Sequence, residues 1–539
     1  MPSSPEKSTS STPQSATMWP HEEAARLAER VRDYPPGRPV IFQSGFGPSG
    51  LPHLGTMSEV LRPSFVRHAF AMHLPLRPTR LIVFIDDMDG LRKVPENVPN
   101  RDAIAAHLGE PVSRIPDPFG CCPSFADHML SLLKDFLAPV EVEYELLRSS
   151  EMYGGGAFDE GLKIILEKHR EIIAIVAPTL REENRAGWSP LMPLCPRCGQ
   201  IVERSVTAYH PERNAIEFTC EGGAKGRRGC GFSGEQSILG GLAKAQWKVD
   251  WALRWFTLKV DYELYGKDLT PSAQLSAPIL RVMGGNPPLG FPFEMFLDEE
   301  GRKVSKSVGR GVTVEQWQRY APVEVLKYFL LQNPRRARKL FLESIPQYVD
   351  EYLDALRAYS AAPNAEARAD SPLEFVLQSG SARSFRADVT FGMITNLVPA
   401  LGNSDFDLII NYLRRYDPKI ESDSGTAAMV ASLVACALNF YRDFIEPGKI
   451  PYAPNAAERA QLQSLADFLR ANRDASAEQI EKTIYDLGRA NYDKPGKIFP
   501  LMYRAILGQE RGPRLGAFIR LATPARIIEL IEASIARTK

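Results

Sequence analysis

From Pro39 onward the chain alternates short, wholly apolar runs with longer stretches whose apolar residues return every three or four positions. PVIFQSGF and LIVFIDD (Leu81 to Asp87) are too short for helices and too evenly apolar for an exposed sheet, so they predict buried strands. VEYELLRSS (Val142 to Ser150) predicts a third. MSEVLRPSFVRHAFAMH, FADHMLSLLKDFL and DEGLKIILEKHREIIAIV carry helical spacing. Strands separated by helices predict a parallel sheet in an α/β unit. The window from Pro190 to Glu235 breaks this rhythm: it is rich in Cys, Gly and Arg and reads as an insertion. A Trp-rich helix, QWKVDWALRWF, follows, then the loop YGKDLTPSAQ and the strand, turn and basic loop of FPFEMFLDEEGRKVSKSVGRGVT. From about Pro346 the pattern is nearly all helical. SAEQIEKTIYDLGRANY opens on a Ser476 to Gln479 capping box, and RLATPARIIELIEASIAR is amphipathic throughout. The expected division is a disordered tail over 1–17, an α/β half over 18–345 with the Cys-rich insertion at 190–235, and a helical half over 346–539.

Length changes this picture little: 539 residues exceed one ordinary core and predict two or three domains. A hydrophobic share of 44% and a charged share of 24% are ordinary for a globular chain. The formal net charge of zero neither demands nor excludes a nucleic-acid partner, because a neutral total can hide a basic face. No apolar run reaches the roughly 20 residues that span a bilayer. AAMVASLVACALNF from Ala427 is too short and reads as a buried helix. The N-terminus is rich in Ser, Pro and Thr and lacks the apolar core of a signal segment, which predicts a cytoplasmic protein without a membrane. The Cys count is seven, an odd number, with four between Cys195 and Cys230; this predicts a metal knuckle in a reducing compartment rather than a disulfide framework.

Two segments carry candidate chemistry. The strand-to-helix turn Ser44-Gly45-Phe46-Gly47-Pro48-Ser49-Gly50-Leu51-Pro52-His53-Leu54-Gly55-Thr56 lets backbone approach a ligand closely, and a helix N-terminus offers N–H groups to phosphate. His53 and Thr56 could add side-chain donors. Alone, the segment could equally be a plain Gly/Pro connection. Lys303-Val304-Ser305-Lys306-Ser307 follows the turn Asp298-Glu299-Glu300-Gly301 and suits an anionic transition state, though by itself it could be a solvated basic loop.

In this order, PSGxxHxG and then KxSKS, the two resemble the paired signatures of class I aminoacyl-tRNA synthetases. DDMDGLRKVPENVP, WKVDWALRW with YGKDL, YAPVEVLKYFLLQNPRRARKL, IPQYVDEYL and MYRAILGQERGPRLGAFI look like the class I lysyl-tRNA synthetases in particular, over roughly Trp19 to Ile535. The resemblance implies a Rossmann-type catalytic domain with a zinc-bearing insertion, followed by an all-α anticodon-binding domain. It implies ATP-dependent activation of lysine to lysyl-adenylate and transfer to the 3′-terminal ribose of tRNA(Lys), with Mg²⁺ on the phosphates and no obligate protein partner. His53, Lys303 and Lys306 would be catalytic; Pro48, Ser49, Gly50, Gly55, Thr56, Ser305 and Ser307 would complete the ATP site. Thr56 stands where the family has Asn or His, Val304 where it has Met, and Leu269 where it has His. The other readings are a glutamate- or glutamine-type enzyme, or a non-catalytic tRNA-binding paralogue.

Lysine specificity calls for a buried carboxylate flanked by aromatics. Gly45, Asp86, Trp247, Asp250, Trp251 and Asp268 are the candidates, with Asp87 and Trp255 beside them; core packing and helix capping are the competing roles. In the insertion, Cys195-Pro196-Arg197-Cys198 forms a CxxC knuckle that Cys220 and Cys230 would complete around Zn²⁺, with His210 as a substitute ligand. Cys121, Cys122 and Cys436 read as ordinary buried thiols. Arg335-Arg336-Ala337-Arg338-Lys339 and Lys225 to Arg228 are the best basic clusters, each of which could be only a solvated face.

Overall fold

The computed structural model describes residues 18–96, 98–185, 187–222, 227–302, 312–377, 384–401, 405–448 and 452–537. The first apolar run forms β1 (Val40–Phe46), buried along almost its whole length. The turn after it opens α1 (Leu54–His73), and β2 (Thr79–Ile85) returns parallel to β1, with Phe46 opposite Ile85. α2 (Phe125–Leu137) starts where the Ser124 side chain accepts the Asp127 N–H. It leads to β3 (Glu145–Arg148), parallel to β2. β3 is shorter than the sequence suggests. Glu141 takes a left-handed φ of 52°, which delays the strand, and Ser149 already starts a helix.

The insertion is all antiparallel: β4 (Leu191–Pro193), β5 (Val206–His210), β6 (Ala215–Thr219), β7 (Ser233–Ser237) and β8 (Ala243–Ala245). β4 pairs with β8, closing the insertion at its base, and β5-β6-β7 form a three-stranded sheet. The Trp-rich stretch is α3 (Trp247–Leu258). β9 (Tyr262–Glu263) then joins β1 in parallel, giving a sheet ordered β3-β2-β1-β9. The predicted parallel α/β sheet is present.

Side chains alternate across β1, as a period of two requires. Val40, Phe42 and Phe46 enter a core that runs on through the helical half, while Ile41 belongs to a second core shared with the insertion and α3. The strand Phe296–Leu297 pairs with Arg338–Lys339. α4 (Val314–Tyr320) opens on a capping box between Thr313 and Gln316. From Ile345 onward every regular element among the described residues is helical, and the Ser476–Gln479 capping box forms as the pattern predicts. α5 (Ser424–Phe440) continues through a π-helical turn, Tyr441–Ile445. The resulting run, Ser424–Gly448, is longer than the apolar sequence indicates, because Arg442 and Asp443 end the apolarity without ending the helix. It passes a length-and-composition test for a bilayer span, yet half of its most apolar stretch is buried inside the protein.

Candidate active site

The Gly-rich turn lies at the C-terminal end of β1, where open α/β sheets receive ligands. His53 is the N-cap of α1: its Nδ1 accepts the Thr56 N–H at 3.2 Å, and its own N–H donates to Thr56 Oγ1 at 3.4 Å. Because Nδ1 accepts, a neutral ring carries its proton on Nε2, which makes that atom a donor. Gly55 is required beneath it, since a Cβ there would lie 2.5 Å from His53 Cε1. Thr56 is buried and occupied by this cap. Pro48 is buried, Gly50 half-buried and Ser49 exposed at the rim.

Below the turn, Gln43 and Gly45 share one face of β1, and Gln43 sits opposite Glu263 of β9. Glu263 is almost wholly buried. It accepts from Gln43 Nε2 at 2.9 Å, from Trp251 Nε1 at 3.1 Å and from Trp255 Nε1. Burial raises the pKa of Glu263, and these donors oppose the rise. Trp247, Trp251 and Trp255 recur every four residues on α3, so their rings lie in file, the first pair stacked with centroids 5.3 Å apart and the second tilted by 44° at 5.1 Å. The Tyr265 ring meets Trp251 edge-on at 5.4 Å. Gly45 adds no side chain over this floor, and only Phe84 O, at 4.0 Å, would neighbour a Cβ there.

Sequence reasoning missed Glu263, although the carboxylate interrupts an apolar strand just after the tryptophans. The carboxylates it chose are placed otherwise. Asp86 and Asp250 both accept from the buried Arg254 guanidinium, and Tyr153 Oη donates to Asp250 at 2.5 Å. Desolvation holds Asp86 above the ordinary carboxylate range even with Arg254 beside it. Asp87 accepts from Arg148 Nε at 2.8 Å and from the Ser150 N–H and hydroxyl, each at 2.6 Å. Asp268 is exposed, in the short turn before the helix Thr270–Val282.

Lys303, Ser305, Lys306 and Ser307 lie outside the described residues. Their flanks do not. The buried Arg62 of α1 stacks its guanidinium over Phe293 at 4.4 Å and Phe296 at 5.4 Å. Desolvation lowers the Arg62 pKa to about 9. The strand that feeds the Lys303 segment is thereby fastened to the helix that His53 opens.

In the insertion, Cys195, Cys198, Cys220 and Cys230 are free thiols whose Sγ atoms all lie within 4.8 Å of one another. Cys195 and Cys230 are 3.6 Å apart, as are Cys198 and Cys220. His210 stands elsewhere, with Glu217 at 3.0 Å. Of the remaining thiols only Cys436 is buried. Cys121 is exposed and Cys122 half-buried, a correction to their reading as core residues: both sit on the loop before α2, and periodicity says nothing about a loop. The basic clusters are tied to the fold in part, while Arg335, Arg336, Lys339 and Arg228 stay exposed. Arg335 reaches Glu23 at 3.3 Å and stacks on Phe291, Arg338 pairs with Glu351, and Lys339 donates to Glu299 O. Arg227 pairs with Glu110 at 2.7 Å, docking the insertion; Lys225 lies outside the described residues.

A family model described as class I tRNA synthetases (K) matches residues 17–378. A lysine–tRNA ligase of Rickettsia bellii (strain OSU 85-389) is 38% identical over 517 residues, covering 95% of this chain and 97% of the relative. One of Rickettsia felis (strain ATCC VR-1525 / URRWXCal2) is 37% identical over 520 residues, covering 96% and 97%. Among solved structures, a glutamate tRNA ligase from Elizabethkingia meningosepticum CCUG26117 aligns with 93% of this chain and 100% of its own at 14% identity and a TM-score of 0.36.

Proposed function

This chain belongs to the class I (K) tRNA synthetases, and from that membership we propose how its residues act as a lysine–tRNA ligase. The observation that carries the reading is a buried carboxylate, Glu263, hydrogen-bonded by Trp251 and Trp255 on the strand beside the one that leads into a phosphate-suited turn. The ε-ammonium of lysine sits against Glu263, its methylene stem along Trp251 and Trp247, and its α-carboxylate towards Gly45. A glutamate substrate would bring a second anion to Glu263 and be rejected.

ATP, carrying Mg²⁺ as its counter-ion, lies over Pro48 to Thr56 with its phosphates towards the α1 N-terminus and His53 Nε2–H. Gly50 and Gly55 give backbone access, and Ser49 borders the rim. Lys303, Ser305, Lys306 and Ser307 close on the other side. An oxygen of the lysine carboxylate attacks the α-phosphorus; the bond to the bridging oxygen breaks, and pyrophosphate leaves. A 3′-terminal ribose hydroxyl of tRNA(Lys) then attacks the lysyl carbonyl, and AMP departs. No protein nucleophile is needed: catalysis is positioning plus stabilisation of phosphate charge.

Asp86 and Asp250 act through Arg254, whose buried charge fixes the floor next to Trp247, with Asp268 at the pocket entrance. Cys195, Cys198, Cys220 and Cys230 hold Zn²⁺. Tetrahedral thiolates around zinc sit about 3.8 Å apart, close to the observed spacings, and four thiolates leave no open position, so the ion is structural. The α/β half performs both chemical steps and the helical half binds the anticodon. A cleft of about 490 Å³ there, lined by Tyr412, Arg415, Tyr416 and Arg520, suits an unstacked base on an aromatic face. Aminoacylation of total tRNA with each amino acid in turn tests the assignment: lysine alone is charged. Charging with glutamate or glutamine would overturn it.

A further inference from the structure

Next to Glu263 in the sheet, β1 carries a second polar side chain whose hydrogen bonds are incomplete. Gln43 is 1% exposed, in the middle of the run VIFQSGF, and its neighbours in register are Ile82 on β2 and Glu263 on β9. The period of two along β1 turns it to the same face as Ile41, which packs in the core shared with α3. A glutamine this deep in a strand is destabilising unless its amide is fully paired.

The pairing covers only part of that amide. Gln43 Nε2 donates to Glu263 Oε2 at 2.9 Å. Gln43 Oε1 is buried, and no donor among the described residues reaches it. The indole donors nearby are already engaged: Trp251 Nε1, at 3.1 Å, and Trp255 Nε1 both donate to Glu263 Oε2, and Trp247 Nε1 donates to Ser272 Oγ at 3.3 Å. Three donors thus converge on one oxygen of Glu263, and the other, Oε1, accepts no hydrogen bond among the described residues. Two acceptors are left on adjacent strands, one neutral and one anionic. The group that meets both has several N–H donors, a positive charge and no lone pair, which describes an alkyl ammonium. A hydroxyl has one donor and leaves one acceptor unmet; a carboxylate brings only further acceptors.

We propose that Gln43 is a specificity-determining residue of the amino-acid site, and that its Oε1 accepts a hydrogen bond from the same ε-ammonium that Glu263 holds by charge. This rests on the lysine reading of the site. Glu263 selects for the positive charge, and Gln43 for a second donor beside it. By holding Oε2, the amide also leaves Oε1 as the carboxylate oxygen open to the ligand. A site whose buried polar groups await donors rejects an analogue that lacks them, because those groups are then desolvated and unpaired. Gln43 therefore widens the gap between lysine and ε-hydroxynorleucine, which carries a hydroxyl where lysine has its ammonium.

The test is lysine-dependent pyrophosphate exchange by the full-length chain, with tRNA present, read as KM because KM does not depend on the fraction of active enzyme. Gln43→Leu removes the acceptor and should raise the lysine KM about tenfold or more, as the loss of a hydrogen bond to a charged group does. The KM for ATP should stay near the parent value. Competition by ε-hydroxynorleucine should weaken less than lysine does, so the variant discriminates less between the two. Gln43→Glu restores an acceptor without the donor to Glu263. Its lysine KM should lie near the parent's at about pH 8 and rise as pH falls, because two adjacent carboxylates take up a shared proton that lysine must displace. If Gln43 served only to prop Glu263 through Nε2, Gln43→Glu would be as poor as Gln43→Leu, and the proposal would fall. It falls too if Gln43→Leu keeps the parental lysine KM, the outcome expected when Oε1 serves only a proton resident on Glu263. An unchanged lysine KM in Glu263→Gln is a different failure, since it removes the lysine reading of the pocket as well; sensitivity at Glu263 with none at Gln43 sinks the present proposal alone.

Discussion

Glu263 shows what one residue's surroundings can decide. Two indole N–H groups and an amide hold its buried carboxylate, and the proposed ammonium of lysine would meet that charge at low dielectric. Glu263→Gln keeps the shape and loses the charge. A charge-assisted hydrogen bond contributes about 1.5–3 kcal/mol, which corresponds to a rise of about ten- to a hundredfold in the KM for lysine. The KM for ATP should stay near the parent value. Pyrophosphate exchange with tRNA present reads both, and an unchanged lysine KM would remove Glu263 from the pocket. Asp350 offers a second residue-scale test. It caps the helix Phe391–Leu401 through the Phe391 and Gly392 N–H groups, and burial, against those donors, pushes its pKa up to about 6. A folded pKa above the unfolded value of 3.8 means the proton is bound more tightly in the native state. That contribution is fully present below about pH 4 and is lost as pH rises through 6. Asp350→Asn keeps an acceptor without the titration, so its stability relative to the parent should improve by about 1–3 kcal/mol between pH 4 and pH 7. Urea unfolding at the two pH values measures this; a constant difference would show that Asp350 does not titrate in that window.

Elements with a strong period were readable from the sequence: β1, β2, α1, α3 and the helix Ala477–Asn491 lie where the apolar spacing puts them, whereas the run from Arg520, read as amphipathic throughout, is broken at Thr523, whose φ is 69°, into Leu515–Ala522 and Pro524–Ile535. The element ends were not readable. β3 is cut short by a left-handed residue, and α5 runs past its apolar stretch, because φ angles and π-turns leave no mark on hydropathy. The same limit hid the pocket. Asp250 was visible as an acid among tryptophans and Asp86 as an acid at the end of an apolar strand, whereas the pairing of Glu263 with Gln43 exists only once β9 has joined β1 across the whole insertion. At the first signature the sequence indicated a Gly-rich phosphate turn, and the geometry adds why one glycine cannot change. Gly55→Ala would by helix propensity alone stabilise α1 by up to about 1 kcal/mol. Here the new Cβ would meet the His53 ring at 2.5 Å, so the imidazole must swing out of its cap. Exchange activity should fall about a hundredfold or more, the loss ascribed to one missing transition-state donor, while the lysine KM stays close to the parent's. A variant with parental activity would show that the ring position does not matter.

At the scale of the whole molecule, the change from α/β to helical pattern near Ile345 suggests a seam that the packing does not respect. Phe375, fully buried, sits 30 residues further on in sequence, yet its ring meets those of His21 at 5.2 Å, His68 at 5.7 Å and Phe65 at 6.5 Å. His21 also contacts the Ala369 carbonyl through Nε2 at 3.4 Å, and Trp19 Nε1 donates to Leu331 O at 2.7 Å. The helix Trp19–Arg30, α1 and the stretch from Ala369 to Val376 therefore share one core, which is part of the larger one reaching to Ile531. Emptying a buried Phe site costs about 3–5 kcal/mol, a large fraction of the 5–15 kcal/mol that holds a typical domain folded. A chain ending at 345 loses Phe375, Leu373 and Val376 together and leaves the inner faces of α1 and of the helix Val323–Leu331 open to water. It should be recovered insoluble. A chain ending at 377 keeps that seat and coincides with the end of the family match at 378, so it should be soluble, show helical and strand circular dichroism, and melt cooperatively. Equal solubility and equal melting of the two truncations would mean that the Phe375 contacts add little and that the boundary lies near Ile345 after all.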